Sequence, residues 1–223
     1  MKTYKILAAL LSYPSDELVQ ALPDLRATLE REALVDAGVR AGLEDLFAEL
    51  ETSDIFDAQE RYVDLFDRVR SLSLHLFEHV HGESRDRGQA MVDLKALYAR
   101  HGFALAPSEL PDFIPAFLEF LSCIDAPEAA ELLAEACPLL EGIAARLATR
   151  GSAYAAVFRT LLVIGGHGST LPVVSTDEIR AEDDPAALDA GWAEAPAFGG
   201  SPAACGAARA PEVSVVQFHR RAA

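Results

Sequence analysis

From Lys2 to about Gly165, apolar residues recur three and four positions apart, and clusters of Gly and Pro interrupt the pattern at short intervals. That spacing lines one face of successive helices with apolar side chains, whereas strands need alternation, which is scarce here. The pattern predicts an all-α fold, a single helical bundle domain of about eight or nine helices over residues 1–166, without an internal repeat of fixed period. Past that point, residues 167–223 turn to Gly, Pro, Ala, Ser and acid, and the composition predicts a flexible, irregular C-terminal tail.

The individual helices follow from stripes and caps. The first puts Tyr4, Leu7, Leu10 and Leu11 on one side and stops near Tyr13-Pro14; Ser15 then caps a second, which runs to about Val35 with Asp16 and Glu17 favouring its dipole. A third is expected from about Val39 to Leu50, and Asp54 caps a fourth whose stripe is Ile55, Tyr62, Phe66 and Val69. Over Ser71–His81 the letters "SLSLHL" alternate like a strand while Leu72, Leu76 and Val80 repeat like a helix; we read a helix with Gly82 at its C-terminal cap. Met91, Leu94 and Tyr98 mark another helix ending at His101-Gly102. The connection "APSELPDFIP" leads into Phe113, Phe117, Phe120 and Leu121, with Pro115 tolerated in the first turn. Leu133, Leu140, Ile143 and Leu147 face inward from an alanine-rich helix over Glu128–Arg150, which Pro138 should kink or split, and a last helix covers Ala153–Ile164.

Acidic residues outnumber basic ones 35 to 19, a formal charge of −16. Such a surface repels phosphate backbones and anionic lipid, so nucleic acid is not an expected partner, while a basic peptide is drawn towards it. Cys123, Cys137 and Cys205 form no C-x-x-C pair, which fits a reducing cytoplasm better than a disulfide framework or a thiolate zinc site. The start "MKTYKILAALLSYPSDE" lacks the length and cleavage site of a signal peptide, and Arg159 interrupts the apolar stretch "AYAAVFRTLLVIGG", so no membrane span is expected.

Chemistry concentrates in "LHLFEHVHGESRDRG", Leu74 to Gly88. His75, Glu78 and His79 spell H-x-x-E-H, which on a helix could give a metal-dependent hydrolase two imidazole ligands and a general base, but no pattern singles out a third ligand. There is no Gly-rich phosphate loop, no nucleophile elbow and no cysteine with a local activating partner, so no catalytic residue and no resident cofactor or metal is expected. A binding surface asks instead for aromatic and arginine anchors beside carboxylates on rigid helices. Tyr62, Phe66, Arg68, Arg70, Glu78, Glu83, Arg85 and Arg87 supply them. The plainer alternative buries Tyr62 and Phe66, pairs Arg68, Arg85 and Arg87 with Asp67, Glu83 and Asp86, and makes Asp112 the N-cap of the Phe113 helix.

"QERYVDLFDRVRSLSLHLFEHVHGESRDRGQAMVDL", Gln59 to Leu94, resembles the signature region of the respiratory nitrate reductase assembly chaperones, the NarJ family, and "LPDFIPAFLEFLS", Leu110 to Ser122, resembles their second hallmark. "YKILAALLSYP" and "GWAEAPAFGG" look like that family too. The resemblance implies an all-helical, non-catalytic cytoplasmic chaperone. Such a protein binds the N-terminal segment of the cofactor-free catalytic subunit of respiratory nitrate reductase, keeps it from its membrane anchor during molybdenum cofactor insertion, and is absent from the finished enzyme. By the same likeness, partner-peptide contacts fall to Glu60, Tyr62, Phe66, Asp67, Arg68 and Arg70. Beside them stand His75, Glu78, His79, His81, Glu83, Arg85 and Arg87, and the loop of Pro111, Asp112 and Pro115. The wider superfamily often carries a histidine after that loop's proline and aspartate, where this chain has Phe113.

Overall fold

The computed structural model describes residues 1–81, 85–106, 109–168, 170–182, 184 and 186. Among them the chain forms helices α1 (Lys2–Leu10), α2 (Asp16–Glu32), α3 (Ala37–Ala41), α4 (Glu44–Thr52), α5 (Ile55–Tyr62), α6 (Leu76–His81), α7 (Arg85–Arg100), α8 (Ile114–Cys123), α9 (Ala126–Thr149), α10 (Ala155–Ile164) and α11 (Thr176–Glu182). A π-helical turn at Val63–Asp67 and a 3-10 turn at Arg70–Leu72 link α5 to α6. The all-α expectation holds; the one β pairing among the described residues is an isolated bridge between His75 and Phe113.

α9 is the spine of the bundle. It packs along α10 and also meets α6, α8, α11 and the 3-10 turn, while α1 lies against α8 and α2. The stripe of Tyr4, Leu7, Leu10 and Leu11 is fully buried, as are Leu133, Cys137 and Leu147 of α9 and Phe158 and Leu161 of α10. α8 buries nearly its whole length, from Ile114 to Leu121 with Glu119 as the exposed exception, because it runs through the middle of the apolar cluster.

Caps are made locally and at a distance. The Ser15 hydroxyl accepts from the Leu18 amide at 3.3 Å and Asp54 from Phe56 at 2.9 Å, as the sequence indicates. α1 has no such residue of its own. Its first amides, Lys2 and Thr3, donate to the carboxylate of Glu32 at 2.8 and 2.5 Å, so the last residue of α2 caps the first turn of α1. That contact holds the Glu32 carboxyl below its ordinary pKa: burial pushes the other way, but the Thr3 hydroxyl and the two amides outweigh it.

Four boundaries depart from expectation. The single helix over 39–50 is two, because two glycines, Gly38 and Gly42, weaken the helix and the Leu43 amide turns back to Arg40 at 3.0 Å. Ser71–His81 is not one helix: residues 74–76 pair with the chain at 112–114, which takes their backbone groups, and helix begins only at Leu76. The expected cap at Gly82 lies outside the described residues. Pro138 does not split α9, which runs unbroken for 24 residues because packing on α10 and α8 outweighs one lost amide bond. Finally, part of the segment read as tail is helix α11, whose Ile179 is buried; α11 packs on α9, while most of 167–223 beyond it lies outside the described residues.

Candidate functional site

The residues picked out from the sequence fall into two groups, joined through α5 and the turns after it. In the first, α5 presents its stripe inward, so Tyr62 and Phe66 are 5 % exposed and belong to the core. The Tyr62 hydroxyl donates to the Leu11 carbonyl at 2.8 Å, and burial pushes that phenol well above its ordinary pKa. Its ring centroid lies 4.9 Å from that of Phe66 and 5.6 Å from that of Tyr13, and the Phe66 ring stands edge-on to Tyr154 at 5.1 Å. Glu60, Asp67, Arg68 and Arg70 are exposed around this stack. Arg68 pairs with Asp64 at 2.9 Å, one turn back, and not with Asp67 as the sequence suggested.

The second group is built on Asp112, whose side chain is fully buried. The Leu76 amide donates to the Asp112 carbonyl at 3.0 Å, the Phe77 amide to its carboxylate at 3.2 Å, and the Ile114 amide to the Leu74 carbonyl at 2.8 Å. Asp112 therefore caps α6, from 35 residues away along the chain. It does not cap its own helix, where Phe113 occupies the N-cap position without a side-chain bond. The His75 Nδ1 lies 3.2 Å from the same carboxylate, its ring tilted against Phe113, and the Arg87 guanidinium reaches within 3.9 Å. Pro111 is held by the Tyr98 hydroxyl, which donates to its carbonyl at 2.7 Å, and Pro115 is buried in the first turn of α8.

Around this buried carboxyl group the half-buried residues form a polar shelf. Arg87 pairs with Glu78 at 3.1 Å, tying α7 to α6; the sequence had paired Arg87 locally. Burial would raise the Glu78 pKa, but the Ser73 hydroxyl, His75 and Arg87 together hold it below the ordinary carboxylate value. His79 Nε2 is 2.8 Å from the Ser73 carbonyl oxygen, an acceptor only, so this nitrogen carries its proton and offers no lone pair to a metal. His75, moreover, precedes α6 and does not share a helical turn with His79, so the H-x-x-E-H letters do not make the motif's geometry. Among the described residues no three His, Cys, Asp or Glu side chains are grouped as a metal site requires. Glu83 lies outside the described residues, as do the side chains of His81 and Arg85, which end α6 and begin α7.

Sequence reasoning missed Ser73 and Tyr98 as parts of this knot. A serine in the alternating run, and a tyrosine whose hydroxyl needs a partner when buried, were the available signals.

Residues 32–160, which contain both groups, match the model of the nitrate reductase delta subunit family. The chain belongs to that family. Over 192 residues, 85% of this chain and 81% of the relative, it is 43% identical to the nitrate reductase molybdenum cofactor assembly chaperone NarJ of Escherichia coli (strain K12). It is 38% identical over 197 residues, 87% and 82% of the two chains, to the probable nitrate reductase molybdenum cofactor assembly chaperone NarW of the same organism. Over 163 residues, 72% and 86%, it is 31% identical to the probable assembly chaperone NarJ of Bacillus subtilis (strain 168). The Asp112 knot lies inside residues 32–160, the stretch that the family model matches.

Proposed function

We propose that this protein is a dedicated assembly chaperone for respiratory nitrate reductase. It binds the N-terminal segment of the cofactor-free catalytic subunit, permits molybdenum cofactor insertion and membrane attachment, and leaves before the enzyme is complete. The observation that carries this reading is 43% identity over 85% of the chain to a relative named as such a chaperone. The geometry supports binding over catalysis, since His75 and His79 are committed to Asp112 and the Ser73 carbonyl. A net charge of −16 favours capture of a basic segment. No helix among the described residues is long and apolar enough to cross a membrane, which suits a carrier working in the cytoplasm.

In this reading the exposed residues Glu60, Asp67, Arg68 and Arg70 and the shelf of His75, Glu78, His79 and Arg87 meet the partner. Tyr62, Phe66, Pro111, Asp112 and Pro115 hold that surface rigid from below. His81, Glu83 and Arg85 complete the proposed contact set. Calorimetric titration of the purified chain with a synthetic peptide of the catalytic subunit's N-terminal segment tests the proposal. Binding at low micromolar or tighter concentration is expected, and absence of heat at tens of micromolar overturns it.

A further inference from the structure

Two adjoining hollows run along the outer side of α10. One, about 370 Å³, lies between α10 and α3, with Val39, Thr160 and Val163 in its lining; the other, about 380 Å³, lies between α10, the start of α4 and the turn after α9, with Ala148 and Gly151 in its lining. Gly42, Ala156 and Arg159 line both, so the hollows adjoin at these residues, and the pair is called the channel below. Its walls are low. Gly38, Gly42, Gly151, Ala148 and Ala156 contribute little or no side chain, which lets another backbone approach closely, as small residues do wherever helices pack tightly.

Charge along the channel is uneven. Asp36, Asp45 and Glu49 stand on the α3 and α4 side, and Arg159 is the basic residue of the lining, at the junction of the two hollows. Such a rim fits a segment with basic residues at its flanks, small or apolar residues against the floor, and a carboxylate or carbonyl group opposite Arg159.

The channel is also continuous with the residues singled out by sequence. Glu49 on its rim pairs with Arg61 at 3.0 Å, next to Glu60, and Tyr154 stands just beyond the turn that closes the channel. Tyr154 in turn carries the Phe66 and Tyr62 rings on its inner side, at 5.1 and 6.3 Å. The buried aromatics thus pack on Tyr154, the residue between the lining residues Ala153 and Ala155.

We infer that the channel between α3, α4 and α10 is the seat of the partner's cationic segment. Tyr62 and Phe66 then act through Tyr154 and do not touch the ligand. The inference rests on the reading above that the protein holds the catalytic subunit's N-terminal segment. Ala156→Trp fills the junction of the hollows and should weaken titration of the peptide of that segment at least tenfold. Asp45→Lys, an exposed change that leaves the core untouched, should weaken it several-fold, and Val173→Ser, at an exposed position outside the channel, should bind as the unaltered chain does. Unfolding midpoints of all three are read alongside. Wild-type binding with both Ala156→Trp and Asp45→Lys, at unchanged midpoints, sinks the channel and leaves the chaperone reading intact.

A second arm does not depend on the peptide. Asp45 is replaced by a photo-crosslinking residue in the full chain, co-expressed with the cofactor-free catalytic subunit, and the product is mapped by mass spectrometry. A crosslink to a basic stretch of that subunit upholds the assignment. No crosslink to it, or one to a second copy of this chain or to its own residues 213–221, overturns the assignment even where the peptide itself gives no heat.

Discussion

Asp112 shows how much can hang on one carboxylate. It is fully buried, takes the Phe77 amide at 3.2 Å, and faces His75 and Arg87. Removing it leaves the Phe77 amide and the His75 ring without their acceptor, while Arg87 keeps Glu78, a loss on the order of 2–4 kcal/mol. Asp112→Ala should therefore lower the unfolding free energy read from urea denaturation by that amount, while Asp112→Asn, which keeps an acceptor for the amide, should recover part of it. Equal stability of Asp112→Ala and wild type would remove the knot from the account. The type of residue was legible in the sequence, and so was its capping habit. Which helix it caps was not, because the amide it serves is 35 positions upstream and no local pattern encodes that pairing.

Elements were legible where their causes are local. Ser15 and Asp54 cap as expected because an N-cap bond spans only two or three residues. The stripes of α1, α9 and α10 were legible because burial follows helical period. The break between α3 and α4 went unread although its glycines and the Leu43–Arg40 turn are local, whereas the late start of α6 and the continuity of α9 each depend on a neighbour distant in sequence. The same dependence makes a prediction at the junction of α9 and α10. Gly165 closes α10 against α9 so tightly that a methyl group there would collide with the Cys137 sulfur, while meeting Leu133 at ordinary contact distance. Gly165→Ala should cost about 1–3 kcal/mol of stability, read from denaturant unfolding, and Cys137→Ala in the same chain should restore most of it. A neutral Gly165→Ala would mean that the two helices are free to part.

At the scale of the molecule, acid dominates: 35 acidic residues against 19 basic ones, with carboxylates on the rim of the α10 channel. Long-range attraction of this kind acts mainly on encounter and is screened over about 10 Å at ordinary ionic strength. Rapid-mixing measurements with the partner peptide should show an association rate that falls about tenfold between about 0.05 and 0.5 M salt, with the dissociation rate changing much less. A salt-independent association rate would exclude steering by the acidic surface. Charge sign was readable from composition alone. The channel was not, because glycines and alanines in and beside α3, α9 and α10 read as helix spacers until the fold brings their bare surfaces together.

The dependence of α6 on Asp112 also orders events during synthesis. Six residues are too few to hold a helix alone, and the acceptors for the Leu76 and Phe77 amides both belong to Asp112. While a ribosome is still translating the stretch before that codon, the histidine-bearing shelf has no anchor, so it takes shape only after the middle of the message has been read.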